Sequence, residues 1–422
     1  MAAELRHGSA PRGARRLLRR LNVQGNAIIT SVSRDMAVMR VVRWFGVGHS
    51  GVENARSAGN EAADRALVAD DPKLLVVFAA DRYDPTELLA GIRERAAGVP
   101  LIGCTTAGEF SRAGPGDNSV VIMALGGDGL SIATAAGTEA TLRQSSEVVA
   151  RAAEAVADRP HRVLFLLTDG LAGDQQEVVR GAYGIVGAAM PLVGGCAGDD
   201  LHMHQTKQFF GDTVLTNAVV GAAIGSDGPI GIGVHHGWRR VGEPMVVTAS
   251  GTNTVLALDD EPALDVYLRG LNAPPEAAKD SEAFTHFALT HPLGLQRRSG
   301  EEVRFVSGAN FETRSLTFVA NVPQGGLTWF MEGDADSVLS ATDAACADAL
   351  AQLGGEPPRG IVAFDCIARR GVLGEGIDDE VARIGARTGD AAIAGFYTYG
   401  EIARTVGTRG FHNQTLVVLA LA

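Results

Sequence analysis

The sequence predicts an α/β (α+β) fold in which helices cover mixed sheets and a strand–helix–strand unit recurs along the chain. Three observations predict this class. Short apolar runs alternate with helical patterns from one end to the other. A glycine-rich turn that carries an acidic residue occurs three times. Of the 422 residues, 46% are hydrophobic and 20% are charged, which is typical of a soluble globular protein with a sizeable core.

The acidic turn is clearest at 100–110, which reads PLIGCTTAGEF. This stretch predicts a short buried strand, then a turn whose glycines permit a positive φ or a close backbone approach, then a carboxylate at Glu109. Thr105 supplies a hydroxyl inside the turn. The other two copies read PLVGGCAGDDL at 191–201, with Asp199, and AAIAGFYTYGEI at 391–402, with Glu401.

The pattern around each turn also repeats. An apolar run and a helical pattern precede each copy, and another apolar run follows it, after an asparagine. Self-similarity on this scale predicts an internally duplicated fold. The preceding pairs are 74–80 with 85–96, 163–167 with 175–186, and 360–366 with 378–386; the following runs are 119–125, 218–224 and 415–421, after Asn118, Asn217 and Asn413.

The remaining elements complete a chain in which strands and helices alternate. Two polar segments interrupt it: 237–244 (GWRRVGEP) predicts a loop, and 272–281, with Pro274 and Pro275, predicts a loop or hinge. The other predicted elements are strands 39–47, 130–135, 229–236, 245–250, 254–258, 303–309, 315–320 and 326–331, a loop 48–51, and helices 52–68, 145–157 (capped by Ser145 or Ser146), 263–271 and 334–353.

Charge and composition limit the function classes. The net charge of −12 argues against broad nucleic-acid binding, and no apolar run approaches the ~20 residues of a membrane helix, so we expect a cytoplasmic protein without membrane contact. Residues 1–38 differ, because they are basic and poor in acids. They predict a disordered tail or an over-extended start. The four cysteines predict free thiols in a reducing compartment; they are Cys104, Cys196, Cys346 and Cys366.

Seven segments, in order, resemble the FIST family. They cover nearly everything from about residue 40 to the end, so the resemblance is specific. It implies two halves, a FIST N-terminal domain at 39–250 and a FIST C-terminal domain at 251–422. The segments are PLIGCTTAGEF (100–110), PLVGGCAGDD (191–200), GIGVHHGWRRVGEP (231–244), LDDEPALDVYL (258–268), HPLGL (291–295), FDCIARRGVLG (364–374) and GFYTYGEI with HNQTLVVLAL (395–421).

The resemblance implies an intracellular sensory protein of signal transduction that binds a small ligand, with amino acids proposed. One branch resembles haem-binding nitric-oxide sensors. The sequence contains no kinase or cyclase motif, so we expect it to act in trans on a separate signalling protein such as a histidine kinase or cyclase.

The ligand hypothesis centres on Glu401. Its carboxylate would bind an ammonium group, Tyr397 and Tyr399 would form aromatic walls, and Arg369 would bind a carboxylate. No metal site is predicted, and no cofactor is required. The complete set of predicted ligand-binding residues is Glu401, Tyr397, Tyr399, Arg369, Asn413, Thr415, Cys366, Glu109, Thr105 and Asp199.

Three alternatives remain open at this point. If haem binds, His235, His236 or His412 would be its axial ligand. If the protein is an enzyme, it would use Cys366 or a carboxylate in acyl or hydrolytic chemistry; Cys366 is the candidate nucleophile, since nearby guanidinium groups would favour its thiolate. We expect no enzyme, because the sequence lacks catalytic motifs such as GxSxG, HExxH and a P-loop. The third alternative is a scaffold whose repeats serve protein contacts alone.

Overall fold

The computed structural model describes residues 42–251, 253–297, 300–405 and 410–422. The predicted tail at 1–38 lies outside the described residues. The elements of the first repeat are β1 (Trp44–Ser50), α1 (Ala55–Ala66), β2 (Pro72–Ala80), α2 (Pro85–Arg93), β3 (Leu101–Thr106), β4 (Glu109–Ser111), β5 (Gly114–Gly116) and β6 (Val120–Gly126).

The second repeat has the same order of elements. They are β7 (Leu130–Gly137), α3 (Leu142–Ala150) with a 3₁₀ turn (Arg151–Val156), β8 (His161–Thr168), α4 (Gln176–Val186), β9 (Leu192–Cys196), β10 (Gln208–Phe210), β11 (Thr213–Leu215) and β12 (Val219–Ser226).

The third repeat begins with β13 (Ile230–His235) and is then interrupted by an insertion, an antiparallel layer with two helices. The insertion contains β14 (Arg239–Ser250), β15 (Thr254–Leu258), β16 (Glu261–Pro262), α5 (Ala263–Gly270), a 3₁₀ turn (Pro275–Ala278), α6 (Ser281–Leu289), β17 (Leu293–Arg297), β18 (Gly300–Arg304), β19 (Val306–Asn310), β20 (Ser315–Phe318) and β21 (Leu327–Glu332).

After the insertion, the third repeat resumes in the order of the other two. Its elements are α7 (Ala335–Ala351), β22 (Gly360–Cys366), α8 (Ile367–Leu373), α9 (Ile377–Thr388), β23 (Ala392–Thr398), β24 (Glu401–Arg404), β25 (Phe411–His412) and β26 (Leu416–Leu421).

Each repeat forms a six-stranded mixed sheet, and the three sheets have equivalent strand orders. These are β1-β6-β2-β3-β10-β11, β7-β12-β8-β9-β24-β25 and β13-β26-β22-β23-β4-β5. The last two strands of each sheet come from another repeat. The hairpin after each acidic turn therefore crosses over: that of repeat 1 completes sheet 3, that of repeat 2 completes sheet 1, and that of repeat 3 completes sheet 2.

The inner faces of the three sheets share one core. Phenylalanines from all three meet there: the Phe78 and Phe396 ring centroids are 4.5 Å apart, and Phe364 lies 5.2 Å from Phe165 and 5.9 Å from Phe396. The outer faces pack against α1 and α2, α3 and α4, and α7 and α9. Because the central strands are buried on both faces, they read as continuous apolar runs in the sequence.

Two glycines in β13 explain the GIG pattern at 231–233. A Cβ on Gly231 would lie 1.9 Å from the carbonyl oxygen of Ala349, and one on Gly233 would lie 1.9 Å from that of Ala345. Helix α7 therefore packs directly on the strand backbone, and these glycines are required for packing.

Several predicted boundaries were wrong. The loop predicted at 48–51 is largely strand, since β1 continues to Ser50 with every second residue buried. The loop predicted at 237–244 mostly forms the first half of β14, paired with β21 from Arg239↔Glu332 onward. Its polar side chains point to solvent, whereas its backbone is hydrogen-bonded to the neighbouring strand. The amino-acid composition reflects the exposed side chains and not the backbone pairing.

Helix boundaries differ as well. The cap of α3 is Thr141, whose side chain accepts the Gln144 N–H, and Ser145 and Ser146 are buried inside the helix. Helices α6 and α8 were not predicted. Both are short, and α8 directly continues strand β22 without the polar connector by which a helix start is usually found.

Candidate functional site

The three acidic turns meet at one end of the fold, where the parallel central strands of all three sheets end. Backbone hydrogen bonds link every turn to another. Ligands in α/β proteins tend to bind at this end of the strands, which makes it the first place to look for a site. The links run from Ala107 N to Tyr397 O (3.0 Å), from Gly198 N to Thr105 O (3.0 Å) and from Cys196 N to Gly400 O (2.8 Å).

Glu401 is completely buried, and hydroxyl groups surround its carboxyl. Thr398 Oγ1 donates to Oε1 at 2.5 Å, and Thr415 donates to Oε2 through Oγ1 at 2.8 Å and through its backbone N–H at 3.1 Å. Burial raises the pKa of Glu401 to about 7, although these hydrogen bonds oppose the shift. Both oxygens therefore have protein partners.

Glu109 repeats this arrangement in the first turn. Thr106 Oγ1 donates to Oε1, and Ser119 Oγ donates to Oε2 at 2.7 Å. Burial raises the pKa of Glu109 to about 8. The two acids thus share one local motif, Thr-x-Gly-Glu, with a second hydroxyl at the start of the following strand.

Asp199 has a different role. Its carboxylate accepts backbone N–H groups from Met203 (3.0 Å), His204 (2.7 Å) and Gln205 (3.0 Å) and the hydroxyl of Tyr399 (2.5 Å). Burial works against the ionised form, but these hydrogen bonds hold the pKa of Asp199 below its ordinary value. Asp199 therefore holds the loop 200–204 in place.

The two predicted tyrosine walls lie in different places. The Tyr399 hydroxyl reaches Asp199 rather than Glu401. The Tyr397 ring packs 5.3 Å from the ring of Phe110, and its hydroxyl has no partner within the described residues. Within the described residues, neither tyrosine hydroxyl is hydrogen-bonded to Glu401.

Arg369 is fully buried and committed to protein groups. Its guanidinium pairs with Asp365 (2.8 Å) and Glu380 and donates to Thr342 Oγ1 (2.9 Å). Burial raises the pKa of Asp365 well above its ordinary value, and the charge of Glu380 adds to this. Burial acts to raise the pKa of Glu380, but the charge of Arg369 keeps that pKa low. The cluster therefore sets two buried carboxyls against one guanidinium.

Cys366 lies beside Glu401 and is buried. Burial, and then the charge of Glu401, raise the pKa of its thiol well above the ordinary value. The expected activation by arginine is absent, since the Arg369 guanidinium faces Asp365 and Glu380. A protonated, buried thiol is a poor nucleophile.

Each of the three histidines proposed as haem ligands has a protein partner on one ring nitrogen. His412 Nε2 bonds to the Ala403 carbonyl oxygen (2.9 Å), and His235 Nε2 bonds to Asp348 (2.8 Å). His236 Nδ1 accepts the Trp238 N–H at 2.9 Å, and burial lowers its pKa to about 4. None of the three is among the residues that line the cavity described next.

That cavity, here called the junction pocket, lies between the insertion and the third repeat. Its volume is about 310 Å³. The sequence analysis did not identify its residues, although it named the Pro274–Pro275 segment as a loop or hinge. The pocket is lined by Pro274, Ala283, His286, Phe287, Leu289, Thr290 and Gly371.

Gln414 connects the junction pocket to the acidic turns. Its Nε2 donates to the carbonyl oxygen of the lining residue Leu289 at 2.9 Å, and its backbone carbonyl accepts Trp238 Nε1 at 2.9 Å. The next residue is Thr415, which holds Glu401. Gln414 is itself fully buried, and its Oε1 has no donor within the described part of the chain.

Gln414 also corrects the predicted asparagine pattern. Asn118 and Asn217 adopt left-handed φ values of 57° and 50°, and the third residue in this position is Gln414, with φ 57°. Asn413 was therefore the wrong equivalent; it is buried, and its Oδ1 has no partner among the described residues.

The fold and these contacts define an internally repeated α+β protein with a pocket at the junction between its third repeat and an inserted layer. The FIST N domain model matches residues 73–261, and the FIST C domain model matches residues 263–404. The chain belongs to the FIST family, whose domains are associated with sensory signal transduction. The boundary between the two matches falls inside the insertion.

The similar proteins add little about function. An uncharacterized protein of Mycobacterium tuberculosis strain H37Rv is 24% identical over 88% of this chain and 97% of its own length. An uncharacterized protein of Mycobacterium bovis is 24% identical over 53% of this chain and 58% of its own. Phosphoribosylformylglycinamidine synthase II of Thermotoga maritima is 12% identical over 90% of this chain and 72% of its own. Its TM-score of 0.20 is too low to support a functional comparison. Within the described residues, no helix has the length and apolarity to cross a bilayer.

Proposed function

We propose that this protein is a cytoplasmic sensor that binds a small molecule in the junction pocket and signals in trans to a separate partner, such as a histidine kinase or cyclase. The observation that carries the proposal is the Gln414 bridge. The Gln414 side-chain amide donates to the Leu289 carbonyl oxygen on the pocket wall, and the next residue, Thr415, donates to Glu401 just before β26 begins. A pocket without such a bridge would favour a passive binding site.

The bridge gives a ligand a physical route to the centre of the fold. A ligand that shifts α6 moves the Leu289 carbonyl oxygen. That oxygen accepts a hydrogen bond from the buried side-chain amide of Gln414. Displacing the amide shifts Thr415, which donates two hydrogen bonds to Glu401. Glu401 lies in β24, which crosses to sheet 2, so the change reaches another repeat. This is a contiguous set of contacts between two sites.

An amino acid remains one candidate ligand. The expected recognition of its carboxylate by Arg369 loses support, because that guanidinium is buried between Asp365 and Glu380. Recognition of its ammonium by Glu401 is also weakened, since both carboxyl oxygens have donors. A ligand that enters the junction pocket would use different groups.

We propose that the protein binds its ligand without catalysing a reaction. In the folded protein, we expect iodoacetamide to label all four cysteines slowly, because each is buried and burial raises every thiol pKa; they are Cys104, Cys196, Cys346 and Cys366. Mass spectrometry of a labelling time course checks this, with the urea-unfolded protein as the rapid control. Selective fast labelling of Cys366 would instead support a nucleophile.

Ligand screening with hydrogen exchange tests the proposed function. We expect at least one small molecule, from a panel of amino acids and aromatic amines, to raise the melting temperature saturably. The same compound should slow amide exchange in peptides from α6 and also in those covering 398–401 and 410–416, because of the Gln414 bridge. Protection limited to α6 and α8 would contradict a sensory role, and a panel without any binder would contradict small-ligand binding.

A further inference from the structure

Four of the seven residues that line the junction pocket lie on one face of helix α6. Their spacing of i, i+3, i+4 and i+7 places side chains along the same side of a helix. Pro274 precedes the helix and Gly371 comes from α8, so the pocket is a cleft between one helix face and two other segments. The residues of the α6 face are Ala283, His286, Phe287 and Thr290, which caps the helix.

The pocket has room for two fused aromatic rings. Its volume is about 310 Å³, whereas an apolar cavity of about 150 Å³ is enough to bind benzene. Phe287 contributes an aromatic ring, itself stacked on His291 with the centroids 4.2 Å apart, and Leu289 and Pro274 add aliphatic surface. Because an aromatic body packs well against such surfaces, the pocket suits a compact bicyclic ligand.

The pocket offers no counter-ion to a charged ligand. None of its seven lining residues is an aspartate, glutamate, lysine or arginine. Arg370, which precedes Gly371, makes a two-point ion pair with Asp117 at 2.6 and 2.8 Å, and Arg369 is fully buried between two carboxyls. A charged group that leaves water without a partner costs free energy, so the lining favours a ligand without formal charge.

His286 is the lining residue whose side chain is available to a ligand. Thr290 Oγ1 donates to the Phe287 carbonyl oxygen at 3.3 Å and lies 2.9 Å from His291 Nδ1. That nitrogen is also 2.8 Å from the same carbonyl oxygen, which can only accept, so His291 Nδ1 carries a hydrogen and Thr290 is engaged within its own turn. The His286 imidazole has no protein partner within the described residues.

We propose that the junction pocket binds a neutral bicyclic aromatic molecule with a single N–H or O–H group, of the indole or naphthol type. The rings pack against Phe287, and the ligand donates its hydrogen to the imidazole of His286. This rests on the proposed function and names its ligand class. Burial of the rings supplies most of the affinity, and the one hydrogen bond sets the orientation.

Three probes that share the indole ring system separate the charge types. They are indole, indole-3-carboxylate and 3-(aminomethyl)indole, whose charges lie close to the ring. By isothermal titration calorimetry at pH 7.5, we expect indole to bind at least about 10-fold more tightly than either charged probe, because neither charge finds a partner in the pocket. Equal or tighter binding of a charged probe would overturn the neutral class.

Two variants locate the site. Gly371 lies in α8, and a Cβ there would be 3.4 Å from Leu289 Cδ1, so Gly371→Met fills the pocket and should abolish the binding of indole. Its control is Gly184→Met in α4, where a Cβ meets nothing within 4 Å, and binding should be unchanged. Unchanged binding by Gly371→Met would overturn the location.

His286→Phe tests the hydrogen bond. The variant keeps an aromatic ring at an exposed position of α6, so we expect it to fold. The wild-type protein should bind indole about 5-fold more tightly than 1-methylindole, which lacks the N–H, as expected for one hydrogen bond between neutral groups. In His286→Phe this preference should disappear, whereas His204→Phe, at an exposed histidine outside the pocket, should retain it. A preference that persists in His286→Phe would contradict the role of His286.

The failures of the two proposals are distinguishable. If a charged probe binds best and Gly371→Met abolishes that binding, the sensor stands and the neutral class falls. If no compound in the wider panel binds, the three indole probes included, both proposals fall.

Discussion

Replacing Arg369 with methionine is expected to lower the free energy of unfolding by about 3–5 kcal/mol, enough to prevent folding at 37 °C if the protein is marginally stable. The guanidinium is fully buried between two carboxyls: it holds the pKa of Glu380 low, whereas burial raises the pKa of Asp365. Without the arginine, a carboxylate remains buried without a cation. Urea denaturation at pH 7, followed by circular dichroism, measures the change.

The adjacent arginine provides the control. Arg370 pairs with Asp117, whose side chain is 58% exposed, so Arg370→Met should cost at most about 1 kcal/mol. Adding Glu380→Gln to Arg369→Met should restore part of the lost stability, because the unpaired charge is removed. Equal effects of the two arginine variants, or no recovery in the double variant, would contradict this account of the cluster.

The repeated units could be predicted from the sequence because each is encoded locally. Strands buried on both faces, such as β22 at Gly360–Cys366, leave apolar runs that are hard to mistake. The exchange of hairpins could not be predicted. The partner of β24 is β9, about 200 residues earlier, and the four residues of β24 contain nothing that distinguishes this partner from one in their own repeat.

The candidate site was partly predictable. The sequence identified three acids whose turns do meet, but not what each acid binds. A threonine three residues before Glu109 and Glu401, with a hydroxyl residue opening the next strand, marked these acids as already hydrogen-bonded. The junction pocket was hidden for another reason: its lining joins 274–290 to Gly371, across a helix, α8, that was not predicted.

Stability is expected to fall as the pH rises from about 6 to 9. Burial raises the pKa of Glu401 to about 7 and that of Glu109 to about 8, from an ordinary value of 4.5. Both carboxyls hold their protons more tightly in the folded state. Their contribution is therefore fully present below pH 4.5 and is lost as the pH rises through 7 and then 8. Since each pKa unit corresponds to about 1.4 kcal/mol, we expect a loss on the order of a few kcal/mol.

The histidines act in the opposite direction at lower pH. Burial lowers the pKa of His236 to about 4 and also lowers that of His412. Their contribution is present above the ordinary value of 6.5 and is lost as the pH falls below it. The free energy of unfolding should therefore be greatest near pH 6, between the two effects. Urea titrations at intervals of half a pH unit from pH 5 to 9 measure this curve.

Glu109→Gln identifies the group responsible for the upper part of the curve. The amide can keep its oxygen towards Ser119 and donate from its nitrogen to Thr106 Oγ1, whose own hydrogen can turn to the Ala79 carbonyl oxygen. We expect this variant to fold and to lose much of the decline between pH 7 and 9. Glu356→Gln, at an exposed carboxylate, should retain the full decline. A wild-type curve that stays flat or rises above pH 7 would mean that Glu109 and Glu401 are ionised in the folded protein. Their four hydroxyl donors and one backbone N–H would then compensate the burial.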